Sequence, residues 1–265
     1  MEHTHHESHV GVWGFFLTVP FLIAISLYVI AVILTQRRYR KPWPTYRSVF
    51  WILGILCAGF SVIGPLADLA KLNFKAHMVT HLLLGMLSPL LLVLATPMTL
   101  LLRTLEVKQA RVVSRILKSR PLRIFSDPLM ATILNIGGLW LLYMTDLYSM
   151  MHQYLLVHIL VHVHVFLAGY LFTMSIVSLD LTPHRTSYKY RSIVLLLALA
   201  GHAILSKILY ITPPDGVSSE EAEVGSMMMY YGGDAVEVFL VIILCYQWFK
   251  ATKPRSLSIQ GQRLS

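Results

Sequence analysis

The chain has 265 residues, of which 56% are hydrophobic and only 13% charged, and its mean hydropathy is +0.64. A soluble domain of this length cannot bury that much apolar surface, so lipid is the solvent the composition fits. The formal charge of +9 does not point to nucleic acid, because Lys and Arg fall in blocks between long apolar runs rather than across one folded face.

The opening residues, Met1 to His6, lack the basic region and small-residue cleavage site of a secretory signal, so the first apolar run is expected to stay as a membrane anchor. Seven apolar runs follow in order: 10–35, 49–70, 77–102, 129–147, 155–178, 192–211 and 227–249. Each is long enough to cross a hydrocarbon core of about 30 Å as a helix. The runs are continuously apolar rather than alternating, which selects helices over a barrel, since each helix pairs its own backbone groups. The expected architecture is all-α: a single integral membrane domain over 1–265 with seven transmembrane helices, no internal repeat and no linker.

Positive loops stay cytoplasmic, and the basic residues partition unevenly. Arg37, Arg38, Arg40, Lys41 and Arg47 follow the first run. Arg103, Lys108, Arg111, Arg115, Lys118, Arg120 and Arg123 follow the third. Arg185, Lys189 and Arg191 follow the fifth, and Lys250, Lys253, Arg255 and Arg263 follow the last. The opposite connections hold Lys71 and Lys75 with most of the carboxylates, which places the N-terminus outside and the C-terminus in the cytoplasm. Between the third and fourth runs, Leu105, Val112, Val113, Ile116 and Leu117 share one helical side and Lys108, Arg111, Arg115 and Lys118 another, predicting a short helix on the cytoplasmic leaflet. Pro89 and Pro97 are expected to bend the third span, and Gly137-Gly138 to admit a close neighbour in the fourth. Cys57 and Cys245 lie singly in apolar runs and form no redox or thiolate motif.

Ionisable side chains at bilayer depth cost about 2.5–3.5 kcal/mol each, so each needs a partner, a cavity or a task. His77 and His81 open the third run at i, i+4, and His158 and His162 repeat that spacing in the fifth, with His164 on another face and His152 just before. His202 and Lys207 lie in the sixth run. In the seventh, Met227, Tyr230, Asp234 and Glu237 share one stripe. At a helical rise of 1.5 Å per residue, all fall within roughly 15 Å of the predicted outer surface. Four helices thus point to a shared polar pocket open to the outside. Imidazole and thioether suit Cu(I), and imidazole with carboxylate also accepts Cu(II), zinc or iron.

Other readings of the same residues stay open. His164 and His202 could be hydrogen-bonded structural histidines. Asp234 and Glu237 could neutralise Lys207 and a protonated histidine as an ion-pair network. Met227, Met228 and Met229 could be ordinary interfacial residues or a copper relay. The N-terminal His3, His5, His6 and His9 could capture metal, do nothing, or belong to an expression tag. Haem held between paired histidines and a proton-coupled transporter using His202, Lys207, Asp234 and Glu237 are the alternative functions. The sequence shows no nucleophile with its base and no phosphate-binding glycine loop, so no enzyme is expected.

Several stretches resemble the polytopic CtaG family of bacterial cytochrome c oxidase assembly factors, from caa-type oxidase operons. They are His77-Met78-Val79-Thr80-His81-Leu82, then Ser88-Pro89-Leu90-Leu91 and Ala95-Thr96-Pro97-Met98. Asp127-Pro128, Trp140, His162, Gly169-Tyr170-Leu171-Phe172, Asp180 and Met229-Tyr230-Tyr231-Gly232-Gly233-Asp234 with Glu237 complete the set. The family pattern continues Trp140 into Trp-x-x-His-x-Pro, whereas this chain has Tyr143 and Thr145. The resemblance implies a multi-pass protein of the cell membrane that matures a copper-containing oxidase of the respiratory chain by handling copper at the outer side. It implies oxidase subunits, the lipid bilayer and an extracytoplasmic copper chaperone as partners. Candidate metal ligands are His77, His81, His158, His162, His202, Met227, Asp234 and Glu237.

Overall fold

The computed structural model describes residues 5–39, 42–180 and 186–253, with side chains from residue 18 onward. The N-terminal histidines, and Arg40, Lys41, Arg185, Arg255 and Arg263 among the orientation signals, lie outside the described side chains. Every regular element among the described residues is helical. Helices α1 (His5–Tyr39) and α2 (Thr45–Val62) pack together, with Tyr28 stacked on Trp51 at 4.7 Å and the Trp43 indole N–H donated to the Tyr28 hydroxyl. The chain then breaks at Gly64, whose φ of 87° suits glycine, and Pro65 opens the short helix α3 (Pro65–Leu72). The expected run 49–70 therefore divides, because Leu66 and Leu69 stay apolar while the backbone turns.

Helix α4 (Phe74–Leu94) starts at Asn73, whose side chain accepts the N–H groups of Lys75 and Ala76. It carries one π turn, Leu83–Leu87. Pro89 has no N–H to offer the Gly85 carbonyl four residues back, and a later helix approaches that carbonyl at Gly169, where a Cβ would collide with the Gly85 oxygen. The expected run 77–102 ends early. Thr96 is left-handed at φ 52°, and Pro97 opens a separate helix α5 (Pro97–Thr104). Pro97 thus starts a helix rather than bending one.

The remaining elements are α6 (Val107–Leu117), α7 (Arg120–Phe125), α8 (Pro128–Met144), α9 (Leu147–Gln153), α10 (Leu155–Val177), α11 (Tyr188–Ile211) and α12 (Ser219–Thr252). Helix α8 has its own π turn, Ile133–Gly137, and bends 77° into α9. Helix α6 buries no residue and leaves Val107, Val112 and Ile116 exposed, as an interfacial helix should. Six helices (α1 from Thr18, α2, α4, α10, α11 and α12) are long and apolar enough to cross a membrane, or seven if α8 and α9 form one bent span. With 34 residues, α12 is about 51 Å long and overshoots a hydrocarbon core.

Burial is inverted relative to a soluble protein. Leu27, Phe60, Leu156, Leu196 and Phe239 are exposed, while His77, His81, His202 and Glu237 are buried. The main core joins α4, α8, α10, α11 and α12 through Leu90, Val93, Ala131, Phe172, Ile176, Leu195 and Leu240. Helix α12 packs on α11 and on the start of α4. There the Phe74 N–H donates to the Glu221 carboxylate at 3.1 Å, pinning the first turn of α4 to that of α12. Pinning these two ends sets His77 and His81 against the elements that carry His202 and Glu237.

Candidate functional site

Helix α4 supplies His77 and His81 on one face, as the i, i+4 spacing dictates. The two histidines meet different neighbours. His77 Nε2 lies 3.0 Å from the Tyr143 hydroxyl, and its ring packs edge-on against Tyr148 at 5.2 Å and stands 6.3 Å from His152. Tyr143 occupies the place where the family pattern has histidine, so an imidazole there would face His77 directly. The same hydroxyl reaches Met78 Sδ at 3.8 Å.

His81 lies one turn deeper and 6.4 Å, centroid to centroid, from His202 of α11. Both rings are buried, and the Nε2 atoms of both have no hydrogen-bond partner among the described residues. Glu237 of α12 holds His202 from the other side, with Nδ1 and Oε1 3.4 Å apart. Gly233, one turn before Glu237, leaves room for the His202 ring, since a Cβ there would overlap it. With Nδ1 turned to a carboxylate, Nε2 is left as the lone-pair nitrogen, the arrangement found behind metal-binding histidines.

Two small cavities, each about 20 Å³, adjoin His81. One is lined by His77, His81, His162 and Tyr143. The other is lined by His81, His202, Glu237 and Asn135, with Gly85 and Met86 from the first π turn and Ile136 from the second. Two π turns on separate helices thus face one cavity, and a π turn widens the backbone where it occurs. Each cavity has room for about one water-sized species.

Five of the eight predicted ligands line these cavities. His77, His81 and His162 share one cavity, and His81, His202 and Glu237 the other. His158 stacks on His162 at 4.2 Å, and the His162 ring bonds the His158 carbonyl at 2.8 Å. Asp234 is half-buried and lines neither cavity. The eighth, Met227, is 43% exposed, whereas Met229 is fully buried beside Met78 in the core. Lys207 is exposed and lies over the Tyr230 ring at 5.5 Å, so Glu237 pairs with His202 and not with the lysine. His164 is a structural histidine, bonded to the Leu134 carbonyl in the second π turn at 3.1 Å. Among the described residues no three His, Cys, Asp or Glu side chains are arranged to hold one metal ion.

Asn135 escapes a reading based on ionisable groups: it is an amide in an apolar run and carries no charge to flag it. Asp180, named above only for the resemblance, accepts from Met98 N–H at 2.7 Å, Thr99 N–H at 2.8 Å and the Thr99 hydroxyl at 2.6 Å, capping α5 from 82 residues away.

The sequence model of the cytochrome c oxidase caa3 assembly factors matches residues 26–251. The chain belongs to that family. It is also similar to an uncharacterized protein of Mycobacterium leprae, 25% identical over 248 residues that cover 85% of this chain and 38% of the relative. Uncharacterized proteins of Mycobacterium bovis and Mycobacterium tuberculosis are each 28% identical over 204 residues, covering 74% of this chain and 30% of theirs. The chain therefore spans about a third of the length of the curated relatives it matches. No solved structure matches it.

Proposed function

We propose that this caa3 assembly factor carries copper to the oxidase at the outer side of the cell membrane, as a seven-span protein with its N-terminus outside and its C-terminus in the cytoplasm. The basic connections after α1, α5 and α12 support that orientation. In this reading the ion is cargo rather than a resident cofactor, and the chain has no catalytic role.

One observation carries the proposal: two buried imidazoles, His81 and His202, lie side by side, each with an unpartnered Nε2 atom. Nitrogen binds such metals at about 2.0 Å, so two rings straddling one ion stand roughly 6 Å apart between centroids. The observed separation is 6.4 Å. Two nitrogens fall short of the four ligands of a closed zinc site but suffice for monovalent copper, which imidazole suits. Leaving a buried polar atom unpaired costs about 1–3 kcal/mol, so two adjacent orphans call for a ligand. Cavities of 20 Å³ accept an ion and are far below the roughly 300 Å³ or more of an organic ligand site, which weighs against haem. His158, His162 and His77 would then form a stepped set of imidazoles leading to His81.

The test is a Cu(I) titration of the purified protein against a chromogenic chelator. Wild type is expected to retain one equivalent, and the double variant His81→Ala, His202→Ala to lose it while keeping its helical circular dichroism. Full retention by a folded double variant would remove this pair from the site.

A further inference from the structure

At the opposite end of the bundle, the last turn of α1, the end of α5 and the face of α6 enclose an open groove of about 510 Å³. Arg38 closes one side, its Nη1 donating to the Leu105 carbonyl at 3.0 Å and so tying α1 to the break before α6. Leu102, Leu105 and Val107 line the groove with apolar surface. Arg111, Arg115 and Lys118 line it with cations, spaced i, i+4 and i+7 on a single stripe. Like charges one turn apart repel, and among the described residues no carboxylate lies within ion-pair distance of any of these four cations. Glu106, the nearest acid in sequence, is engaged in the capping box that starts α6.

We propose that this groove binds an anionic phospholipid, with its phosphate among Arg38, Arg111, Arg115 and Lys118 and the start of an acyl chain along Leu102 and Leu105. Four cations without counter-charge supply the attraction, and guanidinium forks match phosphate oxygens in pairs. The apolar floor distinguishes a lipid from a free phosphate. The groove lies where α1 and α5 end, which the proposed topology puts at the cytoplasmic headgroups, and the exposed Val112 and Ile116 would seat α6 in the same leaflet. The bound lipid would hold α6 against the bundle.

The experiment titrates the full-length protein in neutral detergent with short-chain phosphatidylglycerol, phosphatidylcholine of equal chain length, and glycerol 3-phosphate. Phosphatidylglycerol is expected to bind saturably, at least tenfold tighter than either of the others. A surface cation beside an anionic headgroup contributes a factor of about five, so Arg111→Gln with Arg115→Gln should weaken it roughly 25-fold. Arg111→Lys with Arg115→Lys should stay within about fivefold of wild type. Equal affinity for the two lipids would overturn the proposal even if the glutamine variant failed to fold. Binding of glycerol 3-phosphate as tight as phosphatidylglycerol would overturn the lipid as occupant, and wild-type affinity in the folded glutamine variant would overturn the stripe.

Discussion

Gly169→Ala is the smallest change that tests whether the packing around His81 is as close as described. A Cβ on Gly169 overlaps the Gly85 carbonyl oxygen and stands 3.0 Å from its carbon and 3.3 Å from Pro89 Cγ. All three belong to the stretch of α4 just after His81, and two are backbone, so no rotamer relieves the clash. Overpacking of this kind costs about 1–3 kcal/mol, and a rigid backbone neighbour places Gly169 at the upper end. A loss of about 3 kcal/mol lowers the midpoint of a chain this size by roughly 6–12 °C. Gly59→Ala is the matched control, since its Cβ meets the Phe21 ring at 3.9–4.0 Å, an ordinary contact. Replacing a mid-helix glycine there should be neutral or stabilising by about 0.5–1 kcal/mol. Thermal unfolding in detergent, followed by helical circular dichroism, reads both variants. If Gly169→Ala melts with Gly59→Ala, the close approach of α10 to the first π turn is wrong.

Asp180→Ala strips the acceptor from two backbone N–H groups of α5 and should cost about 2–4 kcal/mol in the same melt, with Asp180→Asn near half of that. Tyr143→Phe removes the hydroxyl from His77 and should cost about 1–3 kcal/mol, yet leave Cu(I) capacity unchanged, because His77 is outside the His81–His202 pair. A copper loss there would move the site toward His77. Gly233→Ala drives a methyl into the His202 ring and should abolish Cu(I) retention while the helical signal persists; retention at the wild-type level would contradict the placement of that ring.

The helices were legible because an apolar run long enough for a bilayer has few other stable forms, and five of the seven expected runs hold a single helix over all or nearly all of their length. Where helices stop was less so. Leu66 and Leu69 carry the apolar pattern past Gly64, and nothing in composition marks Thr96 as left-handed, although the prolines at 65 and 97 sit beside both breaks. The π turns are backbone events set by packing and by Pro89, beyond any residue pattern. His81, His202 and Glu237 were legible as costly residues at one depth, and the fold brings them to one cavity. Met227 shares a stripe with Glu237, but it lies ten residues away on a helix longer than the bilayer, where the stripe no longer faces the bundle. Asp180 and α5 are joined only by the tertiary fold.

The most direct test of the central claim is the copper content of the oxidase itself. Cells lacking this gene, complemented with wild type or with His81→Ala, His202→Ala, would supply oxidase for metal analysis per mole of enzyme. Copper delivery through this pair predicts that wild type restores copper and the double variant, present in the membrane at equal level, does not. Oxidase with full copper from cells carrying only the double variant would contradict it.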